Sequence, residues 1–209
     1  MHLLPAHPGF RRFSRLVGAA LVAVTLVLAG CDKTPDTATA AAAGKAAGTP
    51  VTVEAVAAGA KGFVVGSQMS ARTVYVFFDT QCPHCGALWE AAKPLKSQAK
   101  FIWIPVGILN ASSTSQGATL LAAADPAASM DAHEKSMLAR TGGMSAASNI
   151  DAQKDQVAKN TALLTSFGFA SIPTIVGTNA KTGALVTQEG AMPTAALANL
   201  LGLQAPATN

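Results

Sequence analysis

The sequence predicts an α/β fold built around a parallel βαβ unit and carrying a set of inserted helices. Residues 73–79 and 101–106 are continuous apolar segments of a strand's length, rich in β-branched and aromatic side chains. Such segments are typical of strands in the middle of a sheet. Residues 86–93, which lie between them, have helix-forming composition. Because parallel strands need a crossover of this length, the three segments together predict the βαβ unit.

The chain from about residue 112 to residue 167 is predicted to be the helical insertion. It is rich in alanine and is interrupted at Asp125-Pro126 and at residues 141–143. In its last part, three apolar residues recur at heptad-like spacing and indicate one face of a helix: Ile150, Val157 and Leu164.

Two further strands and a closing helix are predicted after the insertion. Residues 171–177 form a third strand that opens with a proline, residues 184–189 form a fourth, and residues 193–201 form the helix. Residues 51–70 are expected to hold a short strand or helix pair. We therefore expect one folded domain over residues 51–205.

The N-terminal residues are typical of an export signal rather than of the fold. Three arginines precede an uncharged apolar run over residues 16–29, which is shorter than the roughly 20 residues that a membrane-spanning helix needs. The run closes as Leu28-Ala29-Gly30-Cys31 and resembles the lipobox of bacterial lipoproteins. We expect a lipoprotein signal peptide over residues 1–30, with an ordinary signal peptide as the alternative.

A disordered tether is expected between Cys31 and the folded domain. Residues 31–50 are dominated by alanine, threonine, glycine and lysine after the cysteine and show no apolar periodicity. Removing the signal takes away three of the 15 basic residues and none of the 11 acidic ones. The mature chain is therefore nearly neutral, and no basic patch indicates nucleic acid as a partner.

The Cys82-Pro83-His84-Cys85 motif lies where the first strand passes into the crossover helix. Pro83 fits the first turn of that helix, where its missing N–H costs nothing. The unpaired N–H groups of a helix N-terminus stabilise a thiolate, which is the nucleophilic form of cysteine. We expect Cys82 to be the exposed nucleophile, Cys85 the buried resolving cysteine, and His84 the residue that lowers the pKa of Cys82.

Two alternatives to redox chemistry are considered for this pair. A structural disulfide that closes two intervening residues constrains the unfolded chain little, so it stabilises little. Cysteine thiolates with a histidine between them can also hold copper or zinc, although the mature chain has no second ligand pair at comparable spacing. The other mature histidine, His133, is expected on a solvated helix face. No metal and no cofactor is expected.

The chain from about residue 72 to residue 202 resembles the catalytic domain of the DsbC/DsbG class of periplasmic disulfide isomerases and reductases, and in particular its DsbG-like members. The resemblance is carried by residues 74–79, the Cys-Pro-His-Cys motif with Trp89 and Pro94, residues 105–108, residues 124–126, Gly142-Gly143, the Ile172-Pro173-Thr174 segment and residues 200–202. It implies a thioredoxin-like fold with an inserted helical subdomain.

The same resemblance implies roles for residues outside the motif. Pro173 is expected to follow a cis peptide bond and to pack beside the active-site sulfurs. The backbone of Ile172, followed by Pro173 and Thr174, is expected to bind the substrate chain as an added strand, which gives weak sequence selectivity because main-chain bonds read no side chains. Asp79 is a candidate proton relay.

The resemblance also implies the activity, which is thiol-disulfide exchange on cysteines of exported proteins, either disulfides or sulfenic acids. We expect a reductase on the periplasmic side of a bacterial membrane that works with a membrane or periplasmic redox partner. A dithiol oxidase like DsbA is the alternative, because Pro83-His84 is similar to its dipeptide and Ile172 replaces a threonine of DsbC and DsbG. Only residues 51–70 stand in place of a long dimerisation domain, so we expect a monomer.

We predict that Cys31 carries the lipid that holds the protein on the membrane. The full precursor should sediment with membranes, whereas a Cys31→Ala precursor should be almost entirely soluble, because acyl chains insert with about 0.8 kcal/mol per methylene group. Immunoblots of the two fractions make the comparison. A wild-type protein found in the soluble periplasmic fraction would refute the anchor.

Overall fold

The predicted βαβ unit lies at the centre of a five-stranded mixed sheet in the computed structural model, which describes residues 48–207. The strand order is β1-β3-β2-β4-β5; β2 and β3 are parallel and the other pairs are antiparallel. In chain order the elements are α1 (Val53–Gly59), β1 (Phe63–Gly66), β2 (Thr73–Phe78), α2 (Pro83–Ala92), β3 (Lys100–Pro105), α3 (Ala111–Ala122), α4 (Pro126–Leu138), α5 (Asp151–Ser166), β4 (Thr174–Thr178), β5 (Leu185–Glu189) and α6 (Thr194–Leu201).

The α/β architecture expected from the apolar segments is thus confirmed. Residues 51–70, for which a short strand or helix pair was expected, form one helix and one strand. Pro94 does not kink α2 but follows its end, inside a short 3₁₀ helix over Lys93–Leu95. A proline in that position removes the N–H that a continuing α-helix would need.

Strand β2 is buried on both faces, and its alternating side chains feed two separate cores. Val74, Val76 and Phe78 pack into a core under α2 and α6 that includes both cysteines of the motif. Tyr75 and Phe77 pack into the opposite core, under α1 and α5. Because neither face of β2 meets solvent, the position at which this strand ends is fixed by packing on both sides.

Helices α3, α4 and α5 lie between β3 and β4 in the chain, in the stretch where the helical insertion is predicted. The apolar face predicted for its last helix is present, since Ile150, Val157 and Leu164 are all buried. The first helix begins at a capping box in which Asn110 and Ser113 exchange hydrogen bonds with each other's backbone. Asp125 caps the second helix by accepting from the N–H of Ala128 at 3.0 Å.

The signal peptide, Cys31 and most of the expected tether lie outside the described residues. At the end of the tether, the N–H of Thr49 donates to the carbonyl of Ser166 at 2.8 Å, so the chain contacts the folded domain from this residue onward. Among residues 48–207, no helix has both the length and the apolar character needed to cross a bilayer.

Candidate active site

Cys82 occupies the N-cap position of α2, directly after the turn that leaves β2. Its backbone is extended (φ −94°, ψ 112°), and its carbonyl accepts from the N–H groups of Cys85 and Gly86 at 3.0 and 3.2 Å. The sulfur therefore lies at the positive end of the helix dipole, as expected. The side chain is less exposed than predicted, with 7% of its surface accessible.

The second cysteine is the strongest influence on the first. The Cys85 thiol donates a hydrogen bond to the Cys82 sulfur and, despite the opposing effect of burial, lowers the pKa of Cys82 to about 6; the backbone N–H groups of Cys85 and His84 and the charge of His84 lower it further. Burial raises the pKa of Cys85, which has no accessible surface, and the hydrogen bond to Cys82 raises it again. One sulfur is thus a thiolate at neutral pH while its neighbour keeps its proton.

The two residues between the cysteines are exposed on the first turn of α2. His84 was expected to lower the pKa of Cys82, and its charge does so, as the smallest of the causes named above. An exposed imidazole is screened by water, whereas the Cys85 thiol acts at direct contact inside the protein. Pro83 is the first residue of the helix, as predicted.

The segment Ile172-Pro173-Thr174 lies beside the cysteine pair. The peptide bond between Ile172 and Pro173 is cis, as expected, and the Ile172 carbonyl oxygen is 3.9 Å from the Cys82 sulfur, within reach of a thiol hydrogen bond. Thr174 is buried, and its hydroxyl donates to the Ser171 carbonyl. A segment ninety positions further along the chain therefore lies next to the nucleophilic sulfur.

Asp79 directly follows β2 and is fully buried. One carboxylate oxygen accepts from the N–H of Gln81 at 2.9 Å. The other accepts from the N–H groups of Ile108 and Leu109 at 2.8 and 3.0 Å. The side chain thus joins the cysteine turn to the loop after β3, and its role as a proton relay stays a prediction.

His133 is not on a solvated face, as the sequence had suggested; only 1% of its surface is accessible. Its Nε2 is 2.7 Å from the Thr80 carbonyl oxygen, and its Nδ1 accepts from the N–H of Met144 at 3.1 Å. The ring is therefore a neutral imidazole with the proton on Nε2. Burial lowers its pKa. It links α4 to the turn that precedes Cys82.

Glu134, the residue next to His133, was missed altogether in the sequence. It is 6% exposed and shares a cavity wall with Cys82. A signal for it existed: Met130, His133, Glu134 and Met137 have the spacing of one helix face. Between residues 48 and 207, no group of three or more His, Cys, Asp and Glu side chains is arranged to hold a metal ion.

Comparison with known proteins gives one family and several relatives. Residues 60–205 match the family model described as a thioredoxin-like domain. The thiol:disulfide interchange protein DsbG of Pseudomonas aeruginosa is 37% identical over 134 residues, which cover 63% of this chain and 51% of the relative. The resemblance to DsbG is thus confirmed for the catalytic region, and the chain spans about half the length of this curated relative.

Two solved structures illustrate the shared fold. A periplasmic thioredoxin-like protein from Salmonella enterica serovar Typhimurium superposes with a TM-score of 0.56 at 16% identity, covering 74% of this chain and 97% of that one. A disulfide interchange protein from Neisseria gonorrhoeae gives a TM-score of 0.53 at 24% identity, covering 68% and 94%. At these identities the likeness shows the fold alone.

The hydrogen bond between the two thiols predicts how Cys82 reacts with alkylating reagents. In the reduced protein, iodoacetamide should modify Cys82 with a midpoint near pH 6, while Cys85 stays unmodified in the folded protein. Cys85→Ala removes the largest cause of the low pKa, so the midpoint should move upward toward about 8.5, the ordinary pKa of a cysteine thiol. Mass spectrometry of the alkylated protein over a pH series measures both effects.

Cys85→Ser is the matched control for this measurement. Its hydroxyl can still donate to the Cys82 sulfur, so its midpoint should stay closer to the wild-type value than that of Cys85→Ala. Equal alkylation rates for Cys82 and Cys85 in the wild-type protein would contradict the asymmetry of the pair.

The buried neutral histidine predicts a loss of stability in acid. Because the pKa of His133 is lowered in the folded state, the unfolded chain binds more protons below about pH 6.5 and stability falls as the pH falls. His133→Phe should remove the contribution of this residue to the pH dependence, and it should destabilise by about 1–3 kcal/mol at pH 7 for each unpaired backbone group. Urea unfolding at pH 7 and pH 5, in a Cys82→Ser background without the thiolate, measures it. An unchanged acid dependence in His133→Phe would be inconsistent with this assignment.

Proposed function

Because the chain belongs to the family of thioredoxin-like domains, we propose that it is a thiol-disulfide oxidoreductase that acts on cysteines of exported proteins. One observation carries the proposal: Cys82 lies at the N-cap of α2 with Cys85 buried one turn later, and their pKa values are shifted in opposite directions. Thiol-disulfide exchange in two steps needs one thiolate that attacks the substrate and a second cysteine that stays protonated until the mixed disulfide has formed. The identity to DsbG across this region supports the same activity.

The reaction begins when the Cys82 thiolate attacks one sulfur of a substrate disulfide. A mixed disulfide forms on Cys82 and the first substrate thiolate leaves. This step also activates the second cysteine, because the hydrogen bond to Cys82 and the charge on Cys82 both raise the pKa of Cys85 and both vanish when Cys82 is bonded. Cys85 then loses its proton, attacks Cys82 and releases the second substrate thiolate, which leaves the pair oxidised.

Asp79 is proposed as the group that helps this proton to leave. It is near enough for its charge to raise the pKa of Cys85 and for its backbone to lower it. Ile172, Pro173 and Thr174 are proposed as the substrate-binding segment. The Ile172 carbonyl lies against the Cys82 sulfur, so a substrate chain paired with this backbone would bring its own sulfur to the nucleophile.

We propose that electrons flow from the pair to the substrate, as in a reductase. The Cys82 pKa of about 6 lies between the values of about 7 in thioredoxin and about 3.5 in DsbA, and closer to the former. Because a stabilised thiolate favours the reduced pair, the reduction potential should fall between about −270 and −120 mV. Substrates include sulfenic acids, the first product of cysteine oxidation, and an upstream redox partner restores the dithiol.

The place of action is proposed to be the periplasmic side of the membrane, with Cys31 as the lipid anchor. The apolar N-terminal run supports export, and one structural relative is described as periplasmic. The proposed oligomeric state is a monomer.

The reductase proposal predicts that Cys82 and Cys85 are mostly dithiol in growing cells. Cells are quenched in acid, free thiols are labelled with a maleimide of high mass, and the labelled species are separated by electrophoresis. We expect most of the protein to carry labels on both cysteines, because in this proposal an upstream redox partner restores the dithiol.

A Cys85→Ser chain, which cannot form the disulfide, supplies the mobility standard for a single label on the pair. A wild-type pair found mainly as the disulfide would instead support the DsbA-like oxidase.

A further inference from the structure

Glu134 is a buried carboxyl group with an unused oxygen. The side chain projects from α4 toward the first turn of α2, and its Oε1 makes no hydrogen bond. Its Oε2 lies against the backbone of Gly86, where any side chain larger than hydrogen would collide with it. A carboxyl held this way is expensive to ionise, because neither water nor a donor compensates the buried charge.

The position of Glu134 is set by a contact one helical turn away. The indole N–H of Trp89 donates to Asp131 at 2.8 Å, and the Lys93 ammonium contacts the same carboxylate at 2.6 Å. These bonds hold α4 across α2. Moving one turn along each helix from Trp89 and Asp131 leads to Gly86 and Glu134, which are in contact.

Glu134 and Cys82 face the same cavity, which measures about 200 Å³. The remaining wall is mostly apolar and includes Pro83, Met137 and Leu138. Pro83 and Leu138 are exposed at its rim, whereas Cys82 and Glu134 are buried at its inner side. A substrate sulfur bonded to Cys82 would therefore lie in a cavity that Glu134 also lines.

We propose that Glu134 is the general acid that protonates the departing oxygen when Cys82 attacks a cysteine sulfenic acid. This inference rests on the proposed function and assigns Glu134 a catalytic role in it. The assignment stands on three features: a buried carboxyl, an unpaired oxygen and a wall shared with the nucleophile.

The surroundings of Glu134 keep its carboxyl group largely protonated up to about neutral pH. Burial raises the pKa of Glu134 to about 7, and the charges of Glu90 on α2 and of Cys82 raise it in the same sense; Lys93 on α2 opposes them. The Cys82 thiolate, with a pKa of about 6, is therefore formed while Glu134 is still largely protonated. Nucleophile and acid coexist between about pH 6 and pH 7.

All atoms, protons and electrons in this step come from the substrate, Cys82, Cys85, Glu134 and solvent. The Cys82 sulfur forms a bond to the substrate sulfur, the sulfur–oxygen bond breaks, and the departing oxygen takes the Glu134 proton and leaves as water. Cys85 then attacks Cys82 and releases the substrate as a thiol, to which the Cys85 proton passes. The two electrons come from the Cys82 and Cys85 thiols, which end as a disulfide, and Glu134 regains its proton from solvent.

The leaving group explains why sulfenic acids need this residue more than disulfides do. A disulfide expels a thiolate, whose conjugate acid has a pKa of about 8.5. A sulfenic acid expels hydroxide unless it is protonated, and water has a pKa of about 15.7. General acid catalysis therefore matters far more for the oxygen leaving group, where it contributes about 10²–10⁴ in rate.

The test uses one single-cysteine protein in two forms, as the sulfenic acid made with hydrogen peroxide and as the mixed disulfide with glutathione. The reduced chain is mixed with each in excess, quenched in acid, and analysed by mass spectrometry. We expect Glu134→Gln to slow the sulfenic acid reaction about 100-fold and the glutathione reaction less than about 5-fold. Glu54→Gln, which makes the same substitution on the exposed surface of α1, should match the wild type.

The pH profile of the wild-type protein tests the assignment without any variant. The sulfenic acid rate should rise as Cys82 ionises near pH 6 and fall above about pH 7 as Glu134 loses its proton. The falling limb should be absent in Glu134→Gln, whose fold is checked by its thermal melting.

The outcomes separate this inference from the proposed function. A wild-type chain that reduces neither substrate overturns both. A chain that reduces the glutathione disulfide but not the sulfenic acid, that shows no falling limb, or that slows equally on both substrates in Glu134→Gln overturns the role of Glu134 alone.

Discussion

The chemistry of this protein depends on the junction where strand β2 becomes helix α2. Because β2 is buried on both faces, its end is fixed by two cores, and the N-cap that follows puts the Cys82 sulfur at the positive end of the helix. The same packing buries Cys85 one turn later. A thiolate and a protonated thiol at neighbouring positions thus follow from a strand that has no solvent face.

The features that the sequence predicted are those that follow from local patterns. Continuous apolar segments indicated β2 and β3, and the cysteine spacing located the nucleophile. The antiparallel pairing of β1 with β3 and the edge position of β5 depend on long-range contacts that no local pattern contains. The Ile172-Pro173 segment was placed at the site only by family resemblance, since ninety residues separate it from Cys82.

The burial of His133 and Glu134 was not predicted, for a different physical reason. Helix α4 carries polar residues at positions that face the protein, so its buried face is marked by Met130 and Met137 alone. In water an exposed Glu and an exposed His would be unremarkable there. Their burial becomes evident only when α4 lies across α2, held by the bond between Trp89 and Asp131. The amino-acid composition predicted a helix here, but which face of the helix is buried depends on its tertiary contacts.

Two buried carboxyl groups flank the cysteine pair, and their hydrogen bonding differs. Asp79 accepts three backbone N–H groups and holds two loops together, whereas Glu134 has an oxygen without a donor. The charge on Cys82 raises the pKa of Glu134, and this charge disappears when the pair is oxidised. Oxidation therefore favours release of the Glu134 proton, and reduction favours its return. Glu134 is thus protonated when the cysteine pair is reduced, which is the state in which the Cys82 thiolate can attack a substrate.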